Sequence, residues 1–139
     1  MEKSPQKTVV FVCVGNACRS QMSEGIARHL AGDQWEAYSA GSMPAGFVAQ
    51  EAVDTMKARG IDISGQYSKG VDELPVQDFD LVVTMGCGDS CPTLKAKERL
   101  DWPIPDPIGR EPEFFEEVAR DLEKRIRRLL LGEAESPIS

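Results

Sequence analysis

The chain has 139 residues, of which 41% are hydrophobic and 28% are charged, and its 16 basic and 23 acidic side chains give a formal net charge of −7. This length predicts a single domain over residues 1–139 with a sizeable core, and we expect flexible ends at 1–7 and 132–139. The acidic balance argues against nucleic acid or an anionic membrane surface as the main partner.

The start of the chain and its cysteines indicate a compartment. The polar segment MEKSPQKT leads into a strand-like run without a secretory signal, and no apolar run approaches the length of a membrane span. We therefore expect a cytoplasmic protein. Thiols stay reduced there, so the four cysteines indicate chemistry rather than structural disulfides.

Strand-like and helix-like segments alternate along the chain, which predicts an α/β domain with a mostly parallel sheet. In chain order, the predicted elements are a strand at Thr8–Val12, a helix at Ser20–Leu30, a strand at Trp35–Ala40, a helix at Ala45–Arg59, a strand at Phe79–Met85, a short strand around Ile104 and a helix at Glu113–Leu131. Ser20 is the candidate N-cap of the first helix. Cys13 and Cys87 each follow the carboxyl end of a predicted strand, so in a parallel sheet we expect them at the same edge. Parallel sheets bind ligands at this edge.

The loop between the first strand and the first helix runs from Cys13 to Arg19. Gly15 and Asn16 tolerate the left-handed backbone that such a curled loop needs, and the helix after it directs positive potential towards the same point. This pattern predicts an oxyanion site with Arg19 as a bidentate clamp and Cys13 as a nucleophilic thiolate. The expected oxyanion ligands are Val14, Gly15, Asn16, Ala17, Cys18 and Arg19. A buried structural cysteine ahead of an ordinary turn is the alternative, and a C-x5-R pattern alone would favour it.

Five segments resemble the low-molecular-weight protein tyrosine phosphatase fold and occur in the order that this family shows: CVGNACRS, YSAGS, GIDISGQYS, DLVVTM and PDP. The resemblance runs from about Thr8 to Leu131 and implies a four-stranded parallel sheet flanked by helices. It implies that Cys13 is the nucleophile and Arg19 the oxyanion clamp. It also implies that Ser20 stabilises the thiolate and that Asn16 and Ser39 hold the loop in shape.

By the same resemblance, Asp106 is the general acid. Thiolate attack on a tetrahedral oxyanion requires a group that protonates the leaving oxygen, and a carboxylic acid can do so. The flanking residues Pro105 and Pro107 stiffen the backbone around this side chain. An aspartate that only shapes a turn is the alternative, because Asp-Pro favours turns.

A pair of cysteines later in the chain distinguishes between two activities that occur on this fold. Cys87 and Cys91 follow the predicted strand Phe79–Met85 within the segment MGCGDSCP. A phosphatase releases its phosphocysteine with water, whereas an arsenate reductase resolves its arsenic adduct with a further thiol. The segment is similar to that of thioredoxin-coupled arsenate reductases, and this implies a relay from Cys13 to Cys87 and then to Cys91.

The spacing of these two cysteines is shorter than in the thioredoxin-coupled form and looks more like that of relatives that depend on low-molecular-weight thiols. The electron donor therefore stays open. Thioredoxin would attack a Cys87–Cys91 disulfide, whereas a small thiol would attack the arsenic adduct directly and be recycled by a glutaredoxin-like protein. The expected substrate is an arsenate or phosphate oxyanion, and we expect no cofactor.

Three other functions compete with an arsenate reductase. A tyrosine phosphatase would act through a phosphocysteine at Cys13, but Ile108 and Gly109 stand where such enzymes usually place rim tyrosines. A sensor that binds the oxyanion without turnover would not need Asp106. A zinc site at Cys87 and Cys91 lacks further ligands at a suitable spacing.

Two more residues have open roles. Cys18 is either a packing residue or the partner of Cys13 in a protective disulfide. Lys69 stands where thioredoxin-coupled relatives place an acid near a potassium ion, so its ammonium either replaces that cation or faces solvent. We assign no metal.

Overall fold

A four-stranded parallel sheet lies at the centre of the computed structural model, which describes residues 7–86 and 94–132. Its strand order is β2-β1-β3-β4. The strands are β1 (Lys7–Cys13), β2 (Trp35–Gly41), β3 (Asp78–Thr84) and β4 (Lys95–Asp101), and the helices are α1 (Arg19–Ala31), α2 (Gln50–Ala58) and α3 (Pro112–Leu131), with a short 3-10 turn at Val71–Glu73. This confirms the predicted α/β fold with a four-stranded parallel sheet. Within the described residues, no helix has the length and apolar character needed to cross a membrane.

Strand β1 lies between β2 and β3, and it is buried on both faces because an apolar cluster packs against each of them. Val9 and Phe11 point into the larger apolar cluster, to which all three helices contribute. Val10 and Val12 point to the opposite face and pack with residues that include Phe79 and Val82. This burial fixes the end of β1, and with it the position of Cys13, at the centre of the carboxyl edge of the sheet.

The fourth strand is Lys95–Asp101, so the predicted short strand around Ile104 is wrong. The segment KAKERLD is mostly charged and has neither an apolar run nor a clear alternation of apolar residues. It forms a strand because it pairs with β3 at the edge of the sheet, where many side chains reach solvent. Ile104 is buried in an extended segment that follows β4.

Two helix starts also differ from the prediction. Helix α2 begins at Gln50 rather than at Ala45, and Phe47 before it is 60% exposed. The backbone of this preceding segment pairs with the Cys13–Arg19 loop instead, since the Ala45 N–H donates to the Gly15 carbonyl at 2.8 Å. Helix α1 begins at Arg19, so Ser20 is not its N-cap but lies in its first turn.

Candidate active site

The loop from Cys13 to Arg19 connects the carboxyl end of β1 to the first turn of α1. Cys13 is the last residue of β1 and is only 2% exposed. Asn16 has a φ of 49° and is the one non-glycine residue with a positive φ among those the structure describes. The loop packs closely on the end of β2, because a Cβ at Gly41 would lie 2.6 Å from the Val14 carbonyl oxygen. The loop is thus curled and held in place from one side by β2.

The Cys13 sulfur is in hydrogen-bond contact with Ser20. The distance between Cys13 Sγ and Ser20 Oγ is 2.9 Å, and both residues are buried. Asn16 Nδ2 donates to the same Ser20 oxygen at 2.8 Å. Because that oxygen accepts from Asn16, the serine proton is available to the sulfur. Ser20 can therefore donate a hydrogen bond to a Cys13 thiolate and stabilise it.

The Arg19 guanidinium is held by backbone carbonyls of two other segments. Its Nη1 donates to the Met85 carbonyl at 3.1 Å and to the Ile104 carbonyl at 3.0 Å. Its Nη2 lies 3.9 Å from Asp106 Oδ2, while the other Asp106 oxygen accepts from the Ile108 N–H at 3.0 Å. The Arg19 side chain is 9% exposed and that of Asp106 is 52% exposed. Arginine and acid therefore meet at the edge of the sheet where Cys13 lies, with the acid open to solvent.

Asn16 is fixed by partners that the sequence did not reveal. Its Oδ1 accepts from the Lys69 backbone N–H at 2.9 Å and from Gln21 Nε2 at 3.0 Å. The same Gln21 nitrogen also donates to the Tyr67 carbonyl at 2.9 Å. These hydrogen bonds hold the segment around Tyr67 and Lys69 against the Cys13–Arg19 loop. Gln21 sits two residues after Arg19 on a helix, where its type and spacing gave no reason to single it out.

A buried ion pair lies behind this network. Lys69 Nζ is 3.7 Å from Glu24 Oε1 and donates to the Tyr67 carbonyl at 3.1 Å. The Ser39 hydroxyl donates to the same Glu24 oxygen at 2.5 Å, and Arg28 pairs with the other one at 2.7 Å. Burial lowers the pKa of Lys69, and the Glu24 carboxylate opposes that change. Of the two alternatives for Lys69, the structure excludes the one that faces solvent, because the side chain is only 8% exposed. In the described part of the chain, no group of three or more His, Cys, Asp or Glu side chains could hold a metal ion.

The other cysteines differ in how far the structure describes them. Cys18 is buried, and its burial, together with the Asp106 carboxylate and Cys13, raises the pKa of its thiol well above the usual range. It therefore stays protonated at neutral pH and is a poor nucleophile. Cys87 and Cys91 lie outside the described residues, in the segment that directly follows Gly86.

Exposed apolar side chains occur in segments next to the loop. Met43, Phe47, Tyr67 and Ile108 are between 49% and 71% exposed. The Met43 N–H donates to the Val14 carbonyl at 2.8 Å, and the Ser68 hydroxyl, next to Tyr67, donates to the Gly15 carbonyl at 3.1 Å. The aromatic residues Phe47 and Tyr67 thus lie in segments next to the loop. Ile108 and Gly109 in place of rim tyrosines therefore do not by themselves distinguish a reductase from a phosphatase.

Comparison with known proteins identifies the family. The model of the family described as low molecular weight phosphotyrosine protein phosphatase matches residues 8–136. The chain is similar to an arsenate reductase of Halalkalibacterium halodurans, with 44% identity over 132 residues, which is 88% of this chain and 94% of the relative. A solved structure described as an arsenate reductase in the phosphate binding state is 34% identical, with a TM-score of 0.84 over 93% of this chain and 100% of that one.

A second solved structure is the thioredoxin-dependent arsenate reductase of Corynebacterium glutamicum. It is 34% identical, with a TM-score of 0.75 over 93% of this chain and 62% of that one. The resemblance inferred from the five sequence segments is confirmed. The chain belongs to the low molecular weight phosphotyrosine protein phosphatase family.

Proposed function

We propose that this chain is an arsenate reductase in which Cys13 attacks arsenate and a further thiol resolves the adduct. The observation that carries the chemistry is the 2.9 Å contact between Cys13 Sγ and Ser20 Oγ, in a loop that the Arg19 guanidinium closes. The arsenate reductases among the relatives support the choice of arsenate as substrate. The proposal assigns the oxyanion to the loop Val14 to Arg19.

In the first step, the Cys13 thiolate attacks arsenic. The sulfur–arsenic bond forms while one arsenic–oxygen bond breaks, and Asp106 gives the leaving oxygen its proton so that it departs as water. Arg19 neutralises the charge on the remaining oxygens. The 3.9 Å separation of Arg19 Nη2 from Asp106 Oδ2 supports this assignment, because clamp and acid lie side by side.

In the second step, Cys87 attacks the Cys13 sulfur. The sulfur–arsenic bond breaks and its electron pair stays on arsenic, so arsenite leaves while a Cys13–Cys87 disulfide forms. Cys91 then attacks Cys87, which frees Cys13 and leaves a Cys87–Cys91 disulfide. The roles of these two cysteines rest on their sequence pattern, since both lie outside the described residues.

An external thiol donor supplies the two electrons that reduce the final disulfide. The similarity to a thioredoxin-dependent arsenate reductase supports thioredoxin as that donor. The short spacing between Cys87 and Cys91 supports a low-molecular-weight thiol with a glutaredoxin-like protein. We propose thioredoxin as the first donor to test and the small-thiol system as the second.

A single turnover without any donor tests the function. The fully reduced protein is mixed with arsenate, and arsenite and free thiols are counted. We expect about one arsenite per chain and the loss of two thiols, as two-electron thiol chemistry requires. The Cys13→Ser variant should form none, whereas Cys18→Ser should still lose two thiols for each arsenite it forms, because the Cys18 thiol is outside the relay. A parent that forms no arsenite but hydrolyses an aryl phosphate repeatedly would be a phosphatase.

A further inference from the structure

Gly86 lies against the Arg19 guanidinium, and the steps proposed above make no use of it. Its φ is +74°, and a Cβ built on it would lie 2.8 Å from Arg19 Nη1 and 3.9 Å from Arg19 Cζ. Real Cβ atoms essentially never lie within 3.0 Å of such a neighbouring atom. A side chain at position 86 and the Arg19 guanidinium in its present position therefore cannot both fit.

The position of Arg19 Nη1 decides the direction of the rest of the guanidinium. This nitrogen donates to the Met85 carbonyl, directly before Gly86, and to the Ile104 carbonyl. The guanidinium is planar and rigid, so fixing one nitrogen through two hydrogen bonds also fixes the plane and the direction of its other donors. A group that displaces Nη1 would thus turn the clamp away from its site.

We propose that Gly86 is a positioning residue for oxyanion binding, which acts through Arg19 and does not touch the substrate itself. This inference rests on the oxyanion site of the proposed function. Its physical basis is that the clash of a Cβ at Gly86 falls on the far end of a flexible side chain. The arginine side chain moves more easily than the backbone, so a Cβ at Gly86 displaces the guanidinium. The substitution therefore lowers the affinity for the anion, in addition to any backbone strain that it causes.

A requirement for positive φ alone is the competing explanation, and Gly60 provides the control. Its φ is +82°, close to that of Gly86, but a Cβ at Gly60 has no atom within 4 Å. It follows the C-terminal end of α2, where its N–H donates to the Lys57 carbonyl at 3.0 Å. Gly86→Ala and Gly60→Ala therefore share the backbone strain, and only the first crowds Arg19.

The experiment uses the full reduced chain and inorganic phosphate as the probe. Phosphate bound in the loop should protect Cys13 from iodoacetamide, and peptide mass spectrometry follows the labelling of Cys13 alone. We expect Gly86→Ala to require at least about tenfold more phosphate for half protection, because a charge-assisted bidentate contact is lost. Gly60→Ala should stay within about twofold of the parent. Gly86→Asn should lose affinity similarly, since asparagine tolerates positive φ but carries the same Cβ.

A double-mutant comparison links the effect to Arg19. In an Arg19→Lys background, adding Gly86→Ala should change phosphate protection by less than about twofold, because lysine has no Nη1 to displace. Equal phosphate affinity of the Gly86→Ala and Gly60→Ala variants would overturn the inference. A tenfold loss of phosphate affinity on adding Gly86→Ala to the Arg19→Lys variant would also overturn it. A parent that phosphate does not protect overturns the oxyanion site and this inference together. A parent that binds phosphate normally but forms no arsenite overturns the arsenate reductase alone.

Discussion

The Ser20 hydroxyl lies 2.9 Å from the Cys13 sulfur and reaches it from inside the first turn of α1. An N-cap serine would direct its oxygen at the helix amides, whereas this one accepts from Asn16 Nδ2 and can donate its own proton to a thiolate at Cys13. The local sequence thus places a hydroxyl beside the proposed nucleophile, and that hydroxyl does not cap the helix. Cys18, the residue at the cap position, makes no side-chain capping hydrogen bond.

Replacing Ser20 by alanine tests this contact. A hydrogen bond to a charged group contributes about 1.5–3 kcal/mol, so we expect Cys13 in Ser20→Ala to react with iodoacetamide about 10- to 100-fold more slowly at pH 7. Ser23→Ala is the control, because Ser23 is buried on the same helix and donates to the Arg19 carbonyl. Similar labelling rates for the two variants would contradict the assigned role of Ser20.

Replacing Asp106 by asparagine tests the proton donor. Asparagine keeps an oxygen that can accept from the Ile108 N–H but cannot protonate the leaving oxygen. We expect the rate of formation of the Cys13 adduct in Asp106→Asn to fall about 10²- to 10⁴-fold in rapid-quench measurements. Protection of Cys13 by phosphate should persist, because Arg19 and the loop remain. The control Asp101→Asn removes a carboxylate that accepts from Thr84 on β3. An equal fall in the rate of adduct formation in both variants would show that Asp106 is not the proton donor.

Lys69 and Glu24 should depend on each other for stability. Lys69→Met leaves the buried Glu24 carboxylate with Arg28, whose side chain is 56% exposed, as its remaining cation. We expect the free energy of unfolding to fall by about 1–3 kcal/mol in urea titrations and to recover partly in the double variant Lys69→Met and Glu24→Gln. The control Lys97→Met breaks a pair with Asp80 in which the lysine side chain is 83% exposed, and it should cost less than about 1 kcal/mol. Additive losses in the double variant would show that the pair is not coupled.

Glu123 predicts a pH dependence of stability. Hydrogen bonds from Arg59, reinforced by Arg127, hold the pKa of Glu123 below its ordinary value of 4.5. Since the folded pKa lies below the unfolded one, this contribution to stability is complete above about pH 5 and disappears as the pH falls through the folded value. The free energy of unfolding of Glu123→Gln should therefore lie about 1 kcal/mol below that of the parent at pH 7, and this difference should shrink as the pH falls below the ordinary glutamate value. A difference that stays constant, or grows, as the pH falls until the protein unfolds would contradict the assignment.

The sequence predicts those parts of the fold in which a local pattern and the packing agree. The strands β1 and β3 are buried apolar runs, and α3 has a regular apolar side with buried Phe115, Leu122 and Ile126. The loop between Cys13 and Arg19 is predictable for a similar reason. Its glycine, its asparagine and the helix that follows all favour one conformation within a short segment.

The remaining features depend on tertiary contacts that leave little trace in the local pattern. Strand β4 consists mostly of charged residues and is a strand because its backbone pairs with β3. Glu24 and Lys69 look like solvent-facing residues, and only the packing of α1 against the segment around Tyr67 buries them together. The role of Gly86 depends on the position of the Arg19 guanidinium beside it, which the surrounding sequence does not indicate.

The most direct test of the central claim compares Cys87→Ser with the parent on arsenate and on p-nitrophenyl phosphate. Each protein is assayed with thioredoxin as donor and again with a small thiol plus a glutaredoxin-like protein. We predict that the parent forms arsenite with at least one donor, and that Cys87→Ser forms none while its hydrolysis of the aryl phosphate stays within about twofold of the parent. A Cys87→Ser variant that forms arsenite at the parental rate, or a parent that hydrolyses the aryl phosphate but never reduces arsenate, would contradict the proposed thiol relay.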